Sequence, residues 1–207
     1  MSEMPPPPTR TSFVDGLPPI AVTAAIWAGV FIVGALVGWI GRGVLAGPAD
    51  VPTMMVYDDW RLVCPAAKTK DASCRMSEDI VEPKTGQTVA SLVLLKEVDK
   101  DKKESMVLAV SVPLNVLLEP GLGLKFGNDI KTYQYKTCLE GGCVATVPYD
   151  EAMEKAISST SDASITVARL DNKTVQLPFS TKGFVEARKA FKNSEAKRSS
   201  WWWRLWS

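Results

Sequence analysis

The sequence predicts a mainly β protein: an antiparallel β-sandwich-like exported domain with two short helices, preceded by one transmembrane helix. Three observations carry this. Residues Ile20 to Ile40 are uncharged and apolar on every face, most of the chain beyond residue 54 alternates with period two, and four cysteines fall as two close pairs after the apolar run. The implied organisation is a proline-rich cytoplasmic tail at 1–19, a span at 20–40, a linker at 41–54, a β domain at 55–193 and a basic, tryptophan-rich tail at 194–207.

The run IAVTAAIWAGVFIVGALVGWI would form about 31 Å of helix at 1.5 Å per residue, enough to cross a bilayer core once. The competing reading is a cleaved secretory signal, with small residues around Val44-Leu45-Ala46 as its cleavage site. The run exceeds a signal core of about 7 to 15 residues, and its leader, with Pro5 to Pro8 and Pro18-Pro19, is long and almost neutral. An uncleaved anchor is the better match. Gly29, Gly34 and Gly38 would let another helix approach closely, Gly34 and Gly38 forming a small-xxx-small pair.

Arg10 before the run and Arg42 after it give no orientation bias. The cysteines decide instead. Of the three possible connectivities, sequence-local pairing as Cys64–Cys74 and Cys138–Cys143 is the simplest, and disulfides require an oxidising space. The rival is a zinc site, but C-x9-C and C-x4-C depart from the usual knuckle spacing. The expected location is therefore the bacterial inner membrane, single-pass, with the N-terminus cytoplasmic and the domain periplasmic.

Within the domain, Met55 to Cys64 reads as a first strand carrying Trp60 and Leu62, and Thr88–Val98 with Ser105–Val112 as a hairpin whose tip is the solvated DKDKKE. Pro113, Pro120, Gly121 and Gly123 break the next stretch, predicting a bent strand or an edge segment. KTYQYKTC alternates with Tyr133, Tyr135 and Thr137 on one face, then Gly141-Gly142 turn the chain into CVATVPY. DEAMEKAIS reads as a short helix with Asp150 as N-cap, and ASITVARL with KTVQLPF as a hairpin turning at Asp171-Asn172. Phe184, Ala187 and Phe191 give a last helix, Thr181 to Lys192, one apolar face, with Ser180 as its N-cap.

The composition excludes several functions. A formal net charge of +1 offers no electrostatic case for nucleic acid. With no histidine there is no Ser-His-Asp or Cys-His pair, no imidazole metal ligand and no haem histidine. PGLGLKFGN lacks the spacing of a phosphate loop. Asp58-Asp59, the only adjacent acidic pair weighed for a hydrolase, would point to opposite faces of a strand. The expectation is a non-enzyme with no cofactor and no metal.

The order DW-R-L-C, a second Cys, LAVSVPLNVLLEPGLGLKF, Y-x-x-C-x-x-x-x-C and LPFSTKGFVEA resembles the invasion-associated locus B family of alphaproteobacterial envelope proteins, from about Tyr57 to Phe191. VPLNVLLEPGL, CLEGGC and S-x-K-G-F are its most specific parts. The resemblance implies an envelope-associated β-rich domain with disulfides and a link to host-cell invasion rather than a reaction. Members commonly carry a cleavable signal, so a retained span and the tail beyond Phe191 are departures.

That tail, KNSEAKRSSWWWRLWS, carries Trp201, Trp202, Trp203 and Trp206, and from Lys182 onward seven Lys/Arg face two Glu. Tryptophan beside cations suits a membrane interface or a partner protein; packing on the chain's own domain is the plainer alternative. The favoured function is an accessory or structural subunit of an inner-membrane complex, its partners being other subunits and membrane lipid. The alternative is a stand-alone envelope or host-interaction factor.

Overall fold

A computed structural model of the chain describes residues 19–46, 51–98, 101–201 and 203, with the side chains of the first segment described from Thr23 to Trp39. The chain forms two compact units, 1–47 and 48–207. The first contributes one helix, α1 (Pro19–Ala46), which begins on a proline, as a helix can where no backbone N–H is needed. Its described side chains are all exposed, including Trp27, Phe31 and Trp39. Among the described residues no helix is long and apolar enough to cross a membrane. The remainder of the span expected over residues 20–40 lies outside the described side chains.

The second unit holds eleven strands and two helices among the described residues. A seven-stranded antiparallel sheet runs in the order β1 (Thr53–Tyr57), β2 (Trp60–Cys64), β3 (Arg75–Val81), β4 (Thr88–Val98), β5 (Glu104–Val112), β9 (Gly142–Pro148), β8 (Tyr135–Leu139). A four-stranded sheet has the order β11 (Thr174–Phe179), β10 (Ala163–Ala168), β6 (Leu122–Phe126), β7 (Asp129–Tyr133). Register follows the alternation of apolar residues, because a one-residue slip would turn every inward side chain to solvent. Met55, Leu62, Met76, Leu94, Leu108 and Val147 are successive cross-strand partners over six strands. From Leu62 to Val147 this row is buried, and the core also takes in Leu122, Leu124, Ile165 and Phe179 of the smaller sheet. Helix α2 (Glu151–Ser159) is capped by Asp150, whose Oδ1 accepts from the Met153 N–H at 2.8 Å.

The structure corrects several sequence expectations. Met55 to Cys64 is two strands rather than one, reversed at Asp58-Asp59, where Asp58 adopts φ 49°. The two aspartates therefore occupy a turn, not a strand. β3 is a strand that the sequence pattern does not predict. β6 lies inside its sheet between β10 and β7, with the proline-rich residues ahead of it forming the crossover between sheets. Tyr133 and Tyr135 do not share one strand face: the chain leaves the smaller sheet after Tyr133 and enters the larger at Tyr135. Of the DKDKKE tip, Asp99 and Lys100 lie outside the described residues.

The last helix, α3, spans Phe184–Ser199, starting later and ending later than the pattern predicts. Its N-cap is Gly183, in the left-handed region at φ 77°, and not Ser180. Residues 194–199, assigned by sequence to a separate tail, belong to this helix, and α1 and β1 similarly enter the expected linker from either side.

Gly183 is required twice over, since a Cβ there would stand 2.0 Å from the Tyr57 carbonyl oxygen. Gly86 has a similar φ of 68° with nothing within 4 Å of a Cβ. Gly86→Ala should cost only the conformational penalty, about 1 kcal/mol, whereas Gly183→Ala should cost at least about 2 kcal/mol. Denaturant unfolding of the two variants checks the difference.

Candidate functional site

The site is the surface where the end of α3 meets β1 and the first disulfide loop. α3 lies on β1, β2 and β3, and it is held there at both ends. At its start, the backbone of Ser180 is gripped by two side chains: its N–H donates to Glu78 Oε1 at 2.7 Å and its carbonyl accepts from Trp60 Nε1 at 3.0 Å. Phe184 then packs edge-on against Trp60, ring centroids 5.2 Å apart. Phe184, Ala187 and Phe191 are buried along the helix, as their spacing predicts.

Beyond Phe191 the buried face continues in charged residues. Glu195 accepts from the Cys74 N–H at 2.6 Å and pairs with Lys96 at 3.0 Å. Arg198 is 9% exposed and donates to the carbonyls of Pro65 at 3.0 Å, Thr69 at 2.6 Å and Ala72 at 3.0 Å. All three carbonyls lie in the loop closed by the Cys64–Cys74 disulfide, so α3 and that loop fold around one guanidinium. Trp203 stacks on the same guanidinium, 4.8 Å from its ring centre. A groove of about 480 Å³ opens beside them, lined by Met54, Met55, Pro65, Ala67, Lys197 and Trp203 among others.

The predicted site residues are distributed as follows. Cys64 is bonded to Cys74 and Cys138 to Cys143, with no free cysteine among the described residues. The second bond joins directly paired residues of β8 and β9. Gly29, Gly34 and Gly38 lie along α1, and a Cβ added at any of the three would meet nothing within 4 Å. Trp201 is 62% exposed, while Trp203 is half-buried against Arg198, so part of the tail packs on the chain's own domain. Trp202 and Trp206 lie outside the described residues. Among the described residues no group of three or more His, Cys, Asp or Glu is placed to hold a metal.

A model of the invasion-associated locus B protein family matches residues 60–192, from Trp60 on β2 into α3. The chain belongs to this family. It is 29% identical over 140 residues to an invasion protein B homolog of Brucella abortus strain 2308, covering 66% of this chain and 78% of that protein. The counterpart in Brucella abortus biovar 1 strain 9-941 gives the same figures. The crystal structure of invasion associated protein B from Bartonella henselae shares the fold, with a TM-score of 0.58 at 16% identity over 70% of this chain and 99% of that one. The family match takes in Glu78, Trp60 and Phe191, whereas β1, Arg198 and the tryptophans of the tail lie beyond it.

Glu78 and Arg198 are the two groups that sequence reasoning misses. The available signal for Glu78 is the alternation Met76-Glu78-Ile80, which puts a carboxylate in an apolar row. Burial pushes the Glu78 carboxyl up to about 7, opposed by the Ser180 N–H and reinforced by the charges of Asp59 and Asp79. Its Oε2 is buried without a partner. Because an acid with a raised folded-state pKa holds more protons folded than unfolded, stability is fully present below about 4.5 and falls as pH rises toward 7. The loss should approach about 3 kcal/mol. Glu78→Gln keeps the acceptor for Ser180 and should flatten this dependence, as read from urea midpoints across about pH 4 to 8.

Proposed function

We propose that this chain is a non-catalytic, membrane-anchored member of the invasion-associated locus B family, holding its β domain on the periplasmic side of the bacterial inner membrane as an accessory subunit of a membrane complex. The observation that carries this reading is the uncharged, apolar run of the sequence from Ile20 to Ile40, which falls within α1 and whose described side chains, Thr23 to Trp39, are exposed throughout. Exposed apolar surface on that scale is stabilised by lipid or by other apolar helices. Two disulfides support an oxidising compartment for the domain. Gly29, Gly34 and Gly38 would serve helix contact, while the tryptophans would fix the orientation of a domain already tethered.

The second reading, a stand-alone envelope or host-interaction factor, is favoured by the names of the Brucella and Bartonella relatives. The two differ in what accompanies the protein out of the membrane. The accessory subunit should resist alkaline carbonate extraction, retain residues 1–46 by intact mass, show both cross-links in non-reducing peptide maps and bring a constant set of partners through mild detergent. Deleting 201–207 should leave it folded and membrane-bound with those partners more easily removed by salt. A chain starting near Gly47, or four free thiols, would refute the topology. Absence of reproducible partners, with the anchor intact, would favour the stand-alone factor.

A further inference from the structure

A sheet's free edges invite pairing with other chains, and proteins usually blunt them with charge or proline. Among the described residues, three of the four edge strands follow that rule. β7 carries Asp129 and Lys131, β8 carries Lys136, and β11 carries Pro178. β1 is TMMVY, with no charge and no proline, and among the described residues it pairs only with β2. Met54 and Val56 stand 65% and 62% exposed on its outer face.

The groove of about 480 Å³ runs beside this edge, with β1 as one wall and the end of α3 as the other. An added strand would bond to the side of β1 that no strand among the described residues pairs with. Its alternate side chains would enter the groove against Met55, Pro65, Ala67 and Trp203. The polar wall is cationic. Lys197 is exposed, Arg198 Nε is buried without a hydrogen-bond partner, and Glu195 is committed to Lys96 and the Cys74 N–H.

We infer that the free edge of β1, together with the groove beside α3, receives an extended, acidic segment of a partner protein as an eighth strand of the large sheet. The inference deepens the accessory-subunit reading by naming the chemistry of the partner, and rests on it for the partner's presence. Lipid is a poorer occupant, because hydrocarbon cannot satisfy the backbone groups of an open edge. A second copy pairing edge to edge would bring two cationic walls together. β1 and the end of α3 lie outside the segment matched by the family model, whereas the loop residues Pro65 and Ala67 lie within it.

The test uses the full chain in detergent micelles and two short blocked peptides of alternating Val and Thr, one bearing glutamates and the other lysines at the same positions. The glutamate peptide should bind by calorimetry and slow hydrogen exchange at Met54 and Val56, with the lysine peptide weaker by about fivefold or more. Lys197→Glu should reverse the preference, with only the slight fall in unfolding midpoint that a glutamate in the last turn of α3 brings. Met54→Pro, which removes one of the β1 N–H groups expected to slow in exchange, should weaken both peptides.

Three results would overturn the inference: no protection of β1 by either peptide, equal binding regardless of residue 197, or β1 protection already present without peptide and concentration-dependent, which indicates self-pairing. Binding to phosphatidylglycerol vesicles that is lost in Lys197→Glu, with β1 unprotected, would assign the surface to lipid and overturn it as well. Peptide binding in a protein that shows no partners in native membranes would remove the accessory-subunit reading and leave the edge site standing.

Discussion

The grip on the Ser180 backbone is the interaction on which the arrangement of the large sheet depends. The smaller sheet is not broad enough to cover seven strands, and the β1–β3 end is closed by α3. Trp60 and Glu78 take the carbonyl and the N–H of Ser180, three residues ahead of the glycine that starts the helix. That fixes where Phe184 meets Trp60, and a rigid helix then determines where Phe191, Glu195 and Arg198 fall. Burying a carboxylate for this purpose is unfavourable, and the same burial raises the Glu78 pKa.

The two ends of α3 use opposite chemistry for the same task. At its start, one carboxylate and one indole hold the backbone N–H and carbonyl of a single residue. At its end, one guanidinium gathers three carbonyls from the loop of the Cys64–Cys74 disulfide. Arginine suits this because its planar fork presents several donors at once. The same guanidinium supports Trp203, so the tail, the disulfide loop and β1 form one surface. The groove at that surface is thus walled by β1 and the disulfide loop on one side and by the end of α3 with Trp203 on the other.

Much of the fold is legible in the sequence. The β4–β5 and β10–β11 hairpins, β9, the capped α2 and the cysteine pairing all follow from local rules: period-two alternation, turn residues, an N-cap and short spacing. The errors cluster where a local pattern is interrupted by distant partners. β1 and β2 read as one strand because a tight aspartate turn at Asp58-Asp59 leaves alternation almost intact. β3 is hidden because Glu78 breaks its apolar row, and α3 reads as ending at Lys192 because its next inward residues are Glu195 and Arg198.

By itself, then, the sequence determined the secondary-structure class, the disulfide framework, the absence of any histidine chemistry and membership of a recognisable family, since each of these depends on residue type and spacing alone. Only the tertiary structure decided which charged residues are buried and which edge is left open. A glutamate or an arginine reads as a surface residue until a peptide N–H or a set of carbonyls, brought from more than a hundred residues away, makes its burial favourable. An uncharged strand likewise reads as core until its place at the end of a sheet shows that, among the described residues, its outer side has no neighbouring strand.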